Sequence, residues 1–133
     1  MPDYTVQLLV DELNNIEKSI KNANVGILGL AYKKDVDDIR ESPAFDIIKK
    51  LKEKGANLFI FDPYAKKENN VSGFDELLKK SDYLVLVTDH SLFRNMDLMK
   101  LKRNGIKIVI DGKNCLDKDK IVKMGIRYKG VGR

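Results

Sequence analysis

Positively charged side chains follow the first apolar run of the chain, which spans residues 25–30. Lysine and arginine bind phosphate through charge-assisted hydrogen bonds worth about 1.5–3 kcal/mol each. The same segment also carries carboxylates, which could pair with these cations in an exposed loop and contribute little to stability. Its charged residues are Lys33, Lys34, Asp35, Asp37, Asp38, Arg40 and Glu41. The residue types alone leave two interpretations open, a phosphate-binding loop and a solvated loop with local ion pairs.

Cys115 and His90 are the only cysteine and the only histidine of the sequence, and together they could form a nucleophile and its base. Single residues of these types are more often structural, and His90, which follows Thr88-Asp89, is predicted to cap or orient a loop. One cysteine excludes an internal disulfide, and one histidine with one cysteine cannot complete a tetrahedral metal site without several carboxylates. We therefore assign no catalytic residue and no metal site.

The glycines near the first apolar run do not form a dinucleotide-binding fingerprint. Residues 26–32 are GILGLAY, which lacks the spacing G-x-G-x-x-G. Gly26 and Gly29 alone are weak support for a pyrophosphate bound at a helix N-terminus.

Five short apolar runs alternate with segments of helical periodicity. The runs, predicted as strands, cover residues 25–30, 58–61, 83–87, 106–110 and 126–131. The predicted helices cover residues 4–21, 43–54, 74–80, 93–103 and 117–124. This alternation predicts an α/β fold with a doubly wound parallel sheet, preceded by an amphipathic helix. That first helix could be a docking or dimerisation element, or it could simply pack across the domain.

The composition excludes several classes of protein. With 133 residues, 43% hydrophobic and 34% charged, the chain is long enough for one packed core and too apolar for a disordered class. No apolar run approaches the roughly 20 residues of a membrane-spanning helix, and we expect no secretory signal peptide. Acidic residues are interspersed with the basic ones that give the net charge of +5, so we expect neither a nucleic-acid nor a membrane partner. A reducing, cytoplasmic location fits the single cysteine.

Four polar loops follow the predicted strands. They cover residues 30–42, 62–67, 88–92 and 111–115. In open parallel sheets the carboxyl ends of the strands lie at one edge, and ligands bind beyond that edge near the switch in strand order. The sequence therefore predicts a ligand site where these four loops meet.

The motifs in these loops resemble the C-terminal, UDP-binding domain of the UDP-glucose/GDP-mannose dehydrogenase family. The longest is VGILGLAYKKDVDDIRESP at residues 25–43. The others are FDPY at 61–64, TDH at 88–90, DGKN at 111–114 and GIRYKGVG at 125–132. The resemblance covers nearly the whole chain, and such a long motif is not expected by chance.

Within the family, Met1-Pro2-x-Tyr4 and the form of the 32–43 motif are most similar to UDP-N-acetyl-D-mannosamine dehydrogenases. The resemblance implies a Rossmann-like fold and an enzyme that oxidises the C6 alcohol of a UDP-sugar to the uronic acid in two NAD-dependent steps. Full-length members bind NAD in an N-terminal domain and use a catalytic cysteine in a segment ending CFPKD. Cys115 does not match that segment, so we expect this chain to be the C-terminal third of such an enzyme and inactive by itself.

The resemblance also assigns residues. Tyr32 and Lys33 match an aromatic–lysine pair that lies against the nucleotide sugar, with Lys33 near the phosphates. Lys113 stands where many members have an arginine beside the UDP-sugar, so a point charge replaces a bidentate fork. Arg40 matches an arginine near the cofactor phosphates. The residues expected to act architecturally are Asp38, Glu41, Ser42 and Asp62.

Two regions follow from the same resemblance. Residues 1–22 are similar to the end of the family's long central helix, which carries the dimer interface, and residues 23–133 are similar to the UDP-sugar-binding domain. A homodimer is therefore the expected assembly. The alternative is a non-catalytic Rossmann-like module for dimerisation or regulation, which the missing catalytic parts would equally fit.

Overall fold

The computed structural model describes residues 2–131, so Met1 and Gly132 of the motifs above, and the ends of the two predicted regions, lie outside the described residues. The strands are β1 (Asn24–Leu28), β2 (Asn57–Phe61), β3 (Tyr83–Leu86), β4 (Ile108–Asp111) and β5 (Arg127–Gly130). The helices are α1 (Pro2–Asn15), α2 (Ala44–Glu53), α3 (Phe74–Lys80), α4 (Ser91–Arg94), α5 (Met99–Arg103) and α6 (Lys118–Lys123), with a 3₁₀ turn at Lys66–Glu68.

The strands form one five-stranded sheet in the order β2-β1-β3-β4-β5. All four neighbouring pairs are parallel. This confirms the predicted α/β, Rossmann-like doubly wound sheet preceded by an amphipathic helix. The chain leaves β1 for β2 on one side and returns to β3 on the other, so the strand order switches between β1 and β3.

Both faces of the sheet are covered, and the side chains of β3 show how. Val85 belongs to the apolar layer formed with α1 and α2, whereas Leu84 and Leu86 belong to the layer formed with α3 to α6. Successive strand residues point to opposite faces. The unbroken apolar run 83–87 is therefore explained by burial on both sides, and each buried leucine contributes about 1.5–3 kcal/mol.

The first helix ends at Asn15, and the predicted extension to residue 21 is wrong. The carbonyl of Leu13 accepts hydrogen bonds from the N–H groups of both Ile16 and Lys18, and Glu17 adopts a left-handed φ of 59°, which closes the helix. Ile16 and Ile20 are partly buried against the core from the turns that follow. The spacing of these two residues continues the helical pattern, which is why the sequence predicted a longer helix, although both residues lie in turns.

Helix α1 packs across its own domain. Val6, Leu9 and Leu13 are buried in the layer shared with α2. Glu12 is also buried, and its Oε1 accepts a 2.8 Å hydrogen bond from Nε of Arg127 on β5. Of the two roles left open for this helix, the structure shows the packing role directly.

The predicted helix 93–103 is also wrong, because the structure divides it into α4 and α5. The Asp97 carboxylate accepts a hydrogen bond from the Met99 N–H at 3.0 Å, which starts a new helix as a side-chain cap does. Phe93 and Leu101 are buried on either side of this break. Within residues 2–131 no helix has the length and apolar character that crossing a membrane requires.

Two asparagines cover the exposed edge of β2. Asn70 accepts from the Ile60 N–H and donates to the Leu58 carbonyl. Asn69 does the same for the N–H and carbonyl of Asp62. These side chains replace a neighbouring strand and protect the edge from pairing with another chain.

Candidate functional site

A groove of about 510 Å³ lies along the loop that follows β1. Its lining residues are Tyr32, Lys33, Val36, Asp38, Arg40 and Glu41. The groove is beyond the carboxyl end of β1, next to the switch in strand order, which is where doubly wound sheets bind ligands. Tyr32 and Val36 are 47% and 41% exposed, so the groove offers an aromatic and an apolar residue beside its charges.

The charges of the groove are partly paired. The Arg40 guanidinium donates through Nε and Nη2 to the two carboxylate oxygens of Asp38, at 3.0 and 2.9 Å. The hydrogen bonds from the Arg40 side chain and N–H lower the pKa of Asp38 to about 2, and the same pair raises the pKa of Arg40. Lys33 makes no ion pair with another residue of the described part of the chain. The charge of Lys33 also contributes to the lowered pKa of Asp38, but that carboxylate is bound by Arg40, so the Lys33 ammonium can meet an added anion.

Asp62 holds the start of the groove loop. This fully buried carboxylate accepts hydrogen bonds from five donors around it. Oδ2 accepts from the N–H groups of Leu30 (2.6 Å) and Ala31 (3.0 Å) and from His90 Nε2 (2.8 Å), and Oδ1 accepts from the N–H groups of Tyr64 (2.8 Å) and Ala65 (2.9 Å). The predicted architectural role of Asp62 is confirmed, and it extends beyond turning the end of β2.

The ionisation of Asp62 follows from this setting. Burial disfavours the charged carboxylate, but the hydrogen bonds from His90, Ala65, Leu30 and Tyr64 outweigh it and hold the pKa of Asp62 well below its usual range. A carboxylate that accepts several N–H groups is stabilised in its charged form. Asp62 therefore places a fixed negative charge inside the carboxyl edge of the sheet.

Gly29 and Thr88 bring the ends of β1 and β3 together. Gly29 has a φ of +95°, and a Cβ there would lie 2.5 Å from Cβ of Thr88. The Thr88 hydroxyl donates a buried 2.7 Å hydrogen bond to the Ala31 carbonyl. A glycine is required here for both reasons, because only glycine combines a left-handed φ with so close an approach.

Asp35 is a site residue that the sequence interpretation did not single out. Its N–H donates to His90 Nδ1 at 2.7 Å, and its carboxylate accepts from the N–H and the hydroxyl of Ser91 at 2.8 and 2.6 Å. The bonds from Ser91 lower the pKa of Asp35. Asp35 has a left-handed φ of 59°, which aspartate tolerates better than most residues. That tolerance is the only local signal that could have indicated its role.

Cys115 and His90 do not form a nucleophile–base pair. Both ring nitrogens of His90 are already engaged, Nε2 with Asp62 and Nδ1 with the Asp35 N–H. Burial and the neighbouring carboxylate of Asp111 raise the pKa of Cys115 to about 12, so the group is a thiol rather than a reactive thiolate. The prediction that His90 orients a loop is confirmed by its contact with Asp35.

The loop after β4 is held by Asp111. Its carboxylate accepts from the Lys113 and Leu116 N–H groups and from the Tyr128 hydroxyl, at 3.0, 2.9 and 2.7 Å. The Lys113 side chain is exposed at the same carboxyl edge. It does not line the groove. The structure thus brings Tyr32, Lys33 and Arg40 together and leaves Lys113 on a neighbouring loop.

The end of the groove loop begins helix α2. The Ser42 hydroxyl accepts the Ala44 N–H at 3.2 Å, and Pro43 already has helical φ and ψ of −67° and −13°. Ser42 therefore caps the start of α2, with proline in its first turn, which agrees with the architectural role expected of Ser42. Glu41, just before the cap, has a left-handed φ of 58° and lines the groove.

Comparisons with known proteins identify the family of the chain. The model of the UDP binding domain of the UDP-glucose/GDP-mannose dehydrogenase family matches residues 26–118. The chain belongs to this family. The matched region contains the whole groove loop together with Asp62, His90 and Asp111, so the resemblance found in the sequence motifs is confirmed.

Similar proteins share nearly the whole chain. UDP-N-acetyl-D-mannosamine dehydrogenase of Methanococcus aeolicus is 39% identical over 137 residues, which is 99% of this chain and 31% of that protein. UDP-glucose 6-dehydrogenase of Rickettsia bellii is 34% identical over 94% of this chain and 32% of its own length. The solved NDP-N-acetyl-D-galactosaminuronic acid dehydrogenase of Methanosarcina mazei superposes with a TM-score of 0.92 at 28% identity, over 99% of this chain and 29% of that one. The chain therefore spans about a third of the length of these relatives.

Proposed function

We propose that this chain is the UDP-sugar-binding domain of an NAD-dependent UDP-sugar 6-dehydrogenase, of the type that oxidises UDP-N-acetyl-D-mannosamine to its uronic acid. The observation that carries the proposal is the position of Lys33. Its charge, which forms no ion pair among the described residues, lies beside the exposed Tyr32 in a groove at the switch in strand order. A nucleoside diphosphate needs both features, a cation for its phosphates and a flat apolar surface for its base or sugar.

The proposed role of the domain is to anchor the nucleotide. Tyr32 and Lys33 contact the nucleotide sugar directly, and Lys113 adds a positive charge from the neighbouring loop. Binding energy from the UDP group, which does not react, then holds the sugar C6 in place for oxidation. Because an anchor supplies no redox chemistry, we expect the chain to be inactive by itself.

Arg40 is the proposed contact to NAD. When bound, NAD would accept the hydride. The guanidinium uses Nε and Nη2 to hold Asp38 and leaves Nη1 outside that pair, and 87% of its side chain is exposed. This arrangement fits one phosphate contact at the rim of the groove. It does not provide a complete dinucleotide site, which we assign to parts of the protein outside this chain.

We further propose that residues 1–22 contribute to a homodimer. The buried face of α1 packs on its own domain, so a partner would meet the opposite face, where Tyr4 is 45% exposed. Size-exclusion chromatography with light scattering measures the assembly of the chain, and Tyr4→Lys should shift a dimer to a monomer. An unchanged mass for that variant would remove Tyr4 from the interface.

The nucleotide site is tested by titrating the ¹⁵N-labelled chain with UDP and following backbone amide shifts by NMR. Lys33→Ala should weaken UDP binding about tenfold, the equivalent of one lost charge-assisted hydrogen bond of about 1.5 kcal/mol. Lys34→Ala is the matched control, because Lys34 is exposed on the same loop and does not line the groove. We expect the control to bind within twofold of the unaltered chain.

Two outcomes would contradict the nucleotide site. Equal UDP affinity for Lys33→Ala and Lys34→Ala would show that the charge at Lys33 does not contact the ligand. Absence of any UDP-induced shift in the amides of residues 31–43 would favour the alternative, a module for dimerisation or regulation.

A further inference from the structure

His90 connects the two ends of the groove segment that carries Tyr32 and Lys33. On one side, its Nε2 bonds to Asp62 Oδ2, the oxygen that also accepts the Leu30 and Ala31 N–H groups. On the other side, its Nδ1 accepts the Asp35 N–H at 2.7 Å. Leu30 and Ala31 precede the pair and Asp35 follows it, so one imidazole spans the segment that would contact the phosphates.

These bonds allow only one form of the ring. Nδ1 accepts a backbone N–H and therefore carries no proton, so the proton of the neutral imidazole is on Nε2 and is donated to the Asp62 carboxylate. The side chain of His90 is fully buried, and the rings of Tyr64 and Phe93 lie 5.0 and 5.8 Å from it, centroid to centroid. The ring cannot turn over without losing both hydrogen bonds.

We propose that His90 is a positioning residue of the nucleotide-binding loop: its neutral Nε2–H form, set by Asp62, holds Asp35 in a left-handed conformation and so presents Lys33 to a diphosphate. This inference rests on the proposed function. Asp35 has a φ of 59°, a left-handed conformation that costs some energy in any residue other than glycine and that the contacts with His90 and Ser91 help to hold. A loop ordered in advance loses less entropy on binding, and this appears as affinity.

Two substitutions separate the two halves of the contact. His90→Gln places an amide donor where Nε2 reaches Asp62 and removes the acceptor of the Asp35 N–H. His90→Asn places an oxygen where Nδ1 accepts that N–H and removes the donor to Asp62. We expect His90→Gln to weaken UDP binding about tenfold and His90→Asn to weaken it less than threefold. Only the first variant removes the acceptor of the Asp35 N–H, and the bonds from Ser91 then hold the Asp35 carboxylate but not its backbone. Thermal unfolding of both variants measures their stability separately from UDP affinity.

The protonation form of the His90 ring can be tested on the unaltered chain, so this test does not depend on whether a variant folds. The sequence contains one histidine, so a long-range ¹H–¹⁵N NMR spectrum of the imidazole has a single pattern to interpret. We expect the pattern of a neutral ring protonated at Nε2 at pH 7.5. A ring protonated at Nδ1, or at both nitrogens, would overturn the proposal.

The outcomes of the titrations are distinguishable. If UDP binds the unaltered chain and Lys33→Ala weakens it, but His90→Gln binds UDP within twofold of the unaltered chain, the positioning role is wrong and the proposed function stands. If His90→Asn weakens UDP binding more than His90→Gln does, the hydrogen bond to Asp62 rather than the one from Asp35 positions the loop, and the proposal is overturned. If UDP does not bind the unaltered chain, both the proposed function and the positioning role fail.

Discussion

Replacing Asp62 by asparagine tests the hydrogen-bond network that organises the carboxyl edge of the sheet. The substitution keeps the shape of the side chain but leaves one accepting oxygen and one NH₂ group. Asp62 Oδ1 accepts two hydrogen bonds and Oδ2 accepts three. Whichever way the amide is oriented, at least two donors then face another donor.

The expected loss follows from the number of bonds broken. A hydrogen bond to a charged group contributes about 1.5–3 kcal/mol, so two lost bonds predict a destabilisation of about 3 kcal/mol or more. That is a large part of the 5–15 kcal/mol typical of a folded domain. For a chain of this length it corresponds to a fall in melting temperature of roughly 10–15 °C.

Urea unfolding followed by circular dichroism measures this free energy, and Asp75→Asn is the matched control. Asp75 is 76% exposed and makes one ion pair, with Lys100 at 3.1 Å, so the same chemical change there should alter stability by less than about 0.5 kcal/mol. A loss below about 1 kcal/mol in Asp62→Asn would refute the assignment of Asp62 as the acceptor that holds the loop.

The pH dependence gives an independent check on the charge of Asp62. Its pKa is lowered in the folded state, so the stability it contributes is present above the unfolded pKa of about 3.9 and is lost as pH falls through the folded pKa. The asparagine variant lacks this contribution at every pH. The gap in stability between the two chains should therefore narrow below about pH 4, and a gap that stays constant down to pH 2 would contradict the charge assignment.

Three further predictions concern other parts of the fold. Gly29→Ala, which forces a Cβ against Thr88 at a left-handed φ, should cost at least about 1 kcal/mol in urea unfolding; an unchanged midpoint would show that the strand ends can separate freely. Arg127→Met removes the only ion-pair partner that the described residues give the buried Glu12 carboxylate and leaves it the 3.3 Å hydrogen bond from Asn15, so it should cost about 1–2 kcal/mol. Adding Glu12→Gln should bring the total cost below the sum of the two single changes, and strict additivity would argue against the pair. The Cys115 thiol, with a pKa of about 12, should react with a disulfide reagent at pH 8 at least roughly 100-fold more slowly in the folded chain than in urea, and comparable rates would show that the thiol is neither buried nor electrostatically suppressed.

The periodic features of the chain could be predicted because they depend on local spacing. Runs such as 83–87 are apolar throughout because helices cover both faces of the sheet, and Gly55, with a left-handed φ of 90°, follows the C-cap of α2. The groove loop was likewise predictable as an irregular, charged segment after a buried strand. These features follow from residue type and from the periods of helix and strand.

Helix boundaries were predicted less well. Ile16 and Ile20 continue the spacing of a helix, yet they reach the core from the turns that follow α1. Phe93 and Leu101 are both buried, but on two short helices rather than one. An apolar residue is buried equally well from a turn or from a helix, so periodicity by itself cannot place the end of an element.

The amino-acid sequence by itself determined the α/β class, the parallel sheet, the edge at which the polar loops meet and the family that the chain resembles. Only the tertiary structure decided which side chains act together at that edge. The contact of His90 with Asp35 joins residues 55 positions apart, and that of Asp62 with Leu30 joins residues 32 positions apart. Such partners depend on how separate loops approach one another beyond the ends of the strands. No local sequence pattern predicts this approach, because each loop is positioned by a different strand of the sheet.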